Sequence, residues 1–335
     1  MSSFKSNANK IWEKMFEIIK KNSHCTLKNL NSEENGKEIY VMKICDLNVI
    51  NILADNVMKT QKDGIPFIDT KKDLFITFIP NTTQFFINLF CCNVTMEKIY
   101  SKFSKYGLAL EGCFEINSIT LFPFFYQGYK FDTDHILNIK KGTDIISQKS
   151  FLVIDNHNII KIMNGKELQT YEPKGINVQY IEGFKLYDNG NPFMDFSTMK
   201  NLRININGTE ENINGSNVLI DYNKLQIKIK DTYYNFSEIG KVINFVHNSL
   251  FDMDNGLLIF GIDISDNKFI VYHKHTDFYN MMLLLNLFNC KDAILLCNST
   301  KANILWKENG YNTYNKTDFI GDPKKNISNV ITFSG

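Results

Sequence analysis

Apolar residues recur at helical spacing near the start of the chain. In KSNANKIWEKMFEIIKK (5–21), Ile11, Trp12, Met15, Phe16, Ile18 and Ile19 fall on one side and lysines on the other. The spacing predicts an amphipathic helix docked on the protein's own body, with a partner-binding or self-assembling helix as the alternative. The polar stretch NLNSEENGK (29–37) reads as a linker. The expected organisation is therefore helix and linker over 1–34 and a main domain over 35–335.

Beyond the linker, strand patterns dominate. EIYVMKI (38–44) and LNVINIL (47–53) flank Asp46 and predict a hairpin, and DLFITFI (73–79) stops at Pro80. TMEKIYSKFSKYG (95–107) predicts a helix capped by Thr95 and closed by Gly107, with the strand LAL after it. Further strands are expected at SFLVIDN (150–156), NIIKIM (158–163), LQIKIK (225–230), LLIFGIDI (257–264) and KFIVYH (268–273). FSEIGKVINFVHNSL (236–250) reads as a second amphipathic helix. Thr276 and Asp277 open a helix, DFYNMMLLLNLFN (277–289), that is apolar around most of its circumference and so belongs against a sheet. The strand DAILL, the turn CNSTKAN (297–303), the strand ILW and the closing strand NVITF complete the chain. The fold class expected from this order is α+β: a largely β body of mixed sheet with covering helices, without internal repeats.

Composition narrows the function classes. The chain has 335 residues, 44% hydrophobic and 13% aromatic, enough for a substantial core. Lys+Arg 37 against Asp+Glu 36 leaves a formal charge of +1, which argues against a broad nucleic-acid or membrane-binding field. Arg203 is the only arginine, and lysine, asparagine and isoleucine abound, as AT-rich codons would dictate. A large DNA virus, a phage or a parasite fits such a genome. The seven cysteines show neither a CxxC pair nor a zinc pattern, so no metal or cofactor is expected, and reduced thiols suit a cytoplasmic setting. The first ten residues lack the apolar core of a secretory signal, and no run reaches the roughly 18 apolar residues of a membrane span.

Candidate chemistry is sparse. GxGxxG, the P-loop, G-x-S-x-G and HExxH are all missing from the sequence. GCFEINSITLFPFFYQG (112–128) begins with a Gly turn flanked by Glu111 and Glu115, carboxylates able to serve as a general acid or meet a cation. The structural alternative is a tight turn at Gly112 beside core aromatics. In YHKHT (272–276), His273 and His275 share one face if the segment is a strand, which suits proton transfer, and no third metal ligand accompanies them. FDMDNG and GIDISDN match no calcium loop and read as turns.

Three segments in order resemble the phosphodiester glycosidase family. They are helix–GLALEGCFE…P…G, then VQYIEGFKLYDNG, then GLLIFGIDISDNKFIVYH–helix–NCKDAILLCNST…NVITF. KLYDNG (185–190) is similar to the family's Leu-Val-x-Asn-Gly, Asn289–Ala293 to its Gly-Cys-x-Asp-Ala link, and SNVITF to its closing strand. The resemblance spans roughly 38–335 and implies an insertion near 197–250. It implies a phosphodiester-glycosidase-like fold whose site residues have diverged. Glu111-Gly112-Cys113-Phe114-Glu115 stands where the family has Asn-Gly-Gly-Phe-Phe, Gly256 or Leu257 where it has an arginine, and Leu296–Thr300 where it has Asp-Gly-Gly-Gly-Ser. Gly-rich turns let backbone N–H groups approach a phosphate, and arginine clamps it in two places.

The expectation is a catalytically degenerate protein used as a structural or binding component, possible sites being the virion or host-cell cytoplasm. One alternative is an active hydrolase of a sugar or nucleotide phosphodiester. Glu111, His273 and His275 would then be catalytic, and Gly112, Asn298, Ser299 and Thr300 would hold the ligand. A module that binds a nucleotide or glycan without cleaving it is the third reading.

Overall fold

The computed structural model describes residues 2–31, 38–45, 74–83, 86–111, 114–116, 119–121, 124–127, 150–154, 159–164, 167 and 177–192. It further describes 202–221, 226–235, 238, 242–245, 257–273, 278–297, 302–310, 319–321, 324 and 326–334. In chain order, α1 (Ser2–Lys21) leads into β1 (Cys25–Asn29), β2 (Tyr40–Ile44) and β3 (Leu74–Ile79). β4 (Phe86–Thr95), the short α2 (Met96–Tyr100) and β5 (Gly107–Glu111) follow. Next come β6 (Phe114–Ile116), β7 (Ile119–Leu121), β8 (Phe124–Gln127), β9 (Ser150–Ile154), β10 (Ile160–Asn164), β11 (Asn177–Asp188) and β12 (Asn191–Pro192). The 197–250 region supplies β13 (Leu202–Ile206), β14 (Thr209–Ile213), β15 (Val218–Asp221), β16 (Gln226–Ile229), β17 (Thr232–Asn235) and β18 (Ile243–Phe245). β19 (Leu257–Asp263), β20 (Lys268–His273), α3 (Phe278–Leu287), β21 (Cys290–Cys297), β22 (Ile304–Lys307), β23 (Phe319–Ile320) and β24 (Asn326–Ser334) end the chain.

The class is α+β, with a largely β body. An 11-stranded sheet runs β1-β2-β3-β20-β19-β21-β11-β9-β10, with β12 and β8 also paired to β11. A five-stranded sheet runs β23-β22-β5-β24-β4. Every described ladder is antiparallel, in place of the expected mixed sheet. The β20–α3–β21 crossover could have made a parallel pair, but β19 lies between its two strands and is antiparallel to both.

Alternation along the large sheet feeds two cores. Leu74, Ile76, Phe78, Leu257, Ile259, Phe269, Val271, Ala293 and Leu295 pack beneath α1 and α3, together with Ile204, Val218 and Ile227 of the 197–250 region. Phe75, Leu258, Phe260, Ile270, Tyr272, Ile294 and Leu296 pack instead against Leu108, Leu110, Ile304, Trp306, Ile331 and Phe333 of the second sheet. That sheet's far side carries Ala109, Leu305 and Val330 under α2. The layers therefore run helix, sheet, sheet, helix. The apolar residues Ile11, Trp12, Met15 and Ile19 of α1 lie buried against their own chain.

Several local expectations give way to packing. Thr95 does cap a helix, accepting from the Lys98 N–H, but α2 stops at Tyr100 rather than Gly107. A Cβ at Gly107 would lie 2.5 Å from the Phe103 ring, so this glycine opens β5 beneath an aromatic instead of closing a helix. In 236–250 the described stretch Ile243–Phe245 is a strand paired with Ile206 to Ile204, because ladder pairing outweighs the local helical spacing. β2 is paired on both sides, by β1 and β3, and the expected strand 47–53 lies outside the described residues. Asn189-Gly190 and Asn207-Gly208 have positive φ at both positions and make the tight turns between β11 and β12 and between β13 and β14.

Candidate functional site

The strands that lead to the candidate residues end together. Leu257 is in register with His273, Leu258 with Cys297, and Ile304 with Leu110. The ends of β20, β21 and β5 and the start of β22 thus share one end of the two-sheet sandwich. Gly112, His275, Asn298, Ser299 and Thr300 lie outside the described residues.

His273 and the backbone of Glu111 lie within the described residues. His273 is 2% exposed and in register with Leu257 and Leu74, both members of the core beneath α1 and α3. Position 111 is in register with Val330, which packs under α2 on the far side of the second sheet. The two positions belong to different sheets of the sandwich.

The chain's single guanidinium is also engaged elsewhere. Arg203 bonds Glu210 across the β13–β14 hairpin, with both side chains largely exposed. Lys230 Nζ donates to Glu211 Oε2 at 2.6 Å next to it. Arg203, Glu210, Glu211 and Asn212 line a groove of about 310 Å³. The one cation lining this groove, Arg203, already faces a carboxylate, so it presents no clamp for phosphate.

Among the described residues, the densest buried polar constellation sits at the opposite end of β19. Asp263 is fully buried and receives four donors. Its Oδ2 accepts from Trp12 Nε1 at 2.9 Å and Asn267 Nδ2 at 2.8 Å. Its Oδ1 accepts from the backbone N–H groups of Ser265 at 2.8 Å and Asn267 at 3.0 Å. Asn267 Nδ2 also reaches Asn9 Oδ1 at 3.0 Å, and Asn267 Oδ1 accepts from the Asn81 N–H at 2.9 Å. Burial raises the Asp263 carboxyl above its ordinary 3.8, against the opposing hydrogen bonds from Asn267, Trp12 and Ser265. The Trp12 ring packs 4.5 Å from Phe78 and 4.6 Å from Phe288. This hub fixes α1 on the sheet. The sequence reading of GIDISDN as a turn agrees with the Asp263 bonds to residues 265 and 267, while nothing local signals its partner 251 residues away.

KLYDNG lies at that same end. The irregular register between Lys185 and Tyr187 accompanies a buried Lys185 whose Nζ bonds Asp188 Oδ1 at 2.6 Å. The Asn189 N–H donates to Asp292 Oδ1 at 3.1 Å, tying the turn to β21. Burial, reinforced by Asp292 and Asp263, pushes the Cys290 thiol well above its usual range, which disfavours a thiolate nucleophile. Among the described residues, no group of three or more His, Cys, Asp or Glu side chains could hold a metal ion, and no helix is long and apolar enough to cross a membrane.

No protein-family model matches the chain, and no curated protein does either. Among solved structures, it is similar to the zebrafish N-acetylglucosamine-1-phosphodiester alpha-N-acetylglucosaminidase catalytic domain auto-inhibited by its pro-peptide. That match has 10% identity and a TM-score of 0.45, covering 95% of this chain and 92% of the other. A hypothetical protein from Synechocystis matches at 10% identity and a TM-score of 0.36, covering 89% of this chain and 62% of the other. What these comparisons establish is a distant structural similarity to a phosphodiester glycosidase.

Proposed function

We propose that this chain is a catalytically degenerate phosphodiester-glycosidase-like protein that works by binding rather than by turnover. The observation that supports the reading is the burial of His273, 2% exposed within the core beneath α1 and α3. General acid–base work requires its groups within hydrogen-bond reach of one substrate. Arg203, engaged by Glu210 on an exposed hairpin, adds to it. Losing one electrostatic donor costs on the order of 10²–10³ in rate, so a chain without a free guanidinium or an accessible His273 lacks much of the chemistry. The burial of the α1 apolar face on its own chain favours a binding role over assembly through that helix. The AT-rich composition extends the reading to a viral or phage protein in the host cytoplasm or virion.

A rebuilt hydrolase is the second reading, supported by the meeting of the strand ends that lead to Gly112, His275 and Asn298–Thr300. Purified protein incubated with sugar-1-phosphodiesters and nucleotide diesters, with an Asn298→Ala/Ser299→Ala variant beside it, separates the two. The binding reading expects no turnover from folded protein and a ligand-dependent rise in Tm. Turnover that disappears in the variant establishes the hydrolase instead.

A further inference from the structure

We draw no further inference here: the strongest candidate, the outward face of the three-stranded sheet β15-β16-β17, sets exposed Leu219 and Tyr233 on either side of a Lys228 already paired with Asp231, and nothing in the structure shows what covers it.

Discussion

The β19–β20 hairpin and the β15–β17 sheet are built from the same kind of alternating strand, yet they occupy opposite situations. In the first, both faces are covered: Phe260 and Ile270 face the second sheet, Ile259 and Phe269 face α1 and α3, and the turn holds the Asp263 hub. In the second, Val218 and Ile227 face the core while Leu219 and Tyr233 face water. A hairpin covered on both faces ties its residues to stability. A sheet covered on one face can change its outer residues at little cost to the fold, which leaves that face available for recognition.

Substitutions on the covered hairpin and its helix should therefore be the costly ones. Trp12→Ala removes the ring packed among Phe78, Phe269 and Phe288 as well as a donor to Asp263, and a loss of about 3–5 kcal/mol is expected in urea unfolding. A near-normal midpoint would mean that α1 contributes little to the core. Gly261→Ala places a Cβ 2.2 Å from the buried Phe269 ring, and overpacking should cost about 1–3 kcal/mol in the same measurement.

Asp263→Asn keeps the side-chain shape but replaces one acceptor oxygen with a donor facing other donors, at a cost of about 1–3 kcal/mol. It also has a pH signature. The folded carboxyl is raised, so the native state holds its proton more tightly than the unfolded chain. The stability linked to that proton is fully present below the ordinary value of 3.8 and is lost as pH rises through the raised native value. The wild-type advantage over Asp263→Asn should thus shrink across that window and stay level above it. An advantage that grows with pH contradicts a raised carboxyl.

On the open sheet, Leu219→Ser and Tyr233→Ser should change stability by no more than about 0.5 kcal/mol. A larger loss in either would show that the outer face is structural, and the contrast between the two regions would collapse. Arg203→Gln should be smallest, about 0–0.5 kcal/mol and fading with salt, because its ion pair with Glu210 is exposed on both sides.

The candidate site was only partly legible in the sequence. Chain order led to Glu111, His273 and the 298–300 segment as neighbours, and the strand ends do meet at one end of the sandwich. Which sheet each position joins depends on which strand lies opposite it. That is set by Val330 pairing with position 111 and by Leu74 and Leu257 pairing with His273. The hub was less legible still, since Trp12 reads as one more apolar residue of a helix until Asp263 is found beside it.

By itself, the sequence determined the local features: the apolar stripe of α1, the strands with strong alternation, the apolar helix before Cys290, and the Asn-Gly turns. These follow from side-chain direction and backbone preference within a few residues. Tertiary structure alone decided the length of α2, the strand at Ile243–Phe245, the antiparallel pairing throughout the described sheets, and the separation of positions 111 and 273. Each of these depends on a partner far along the chain, and hydrogen-bond ladders and close packing between distant segments outweigh the small preferences that local spacing expresses.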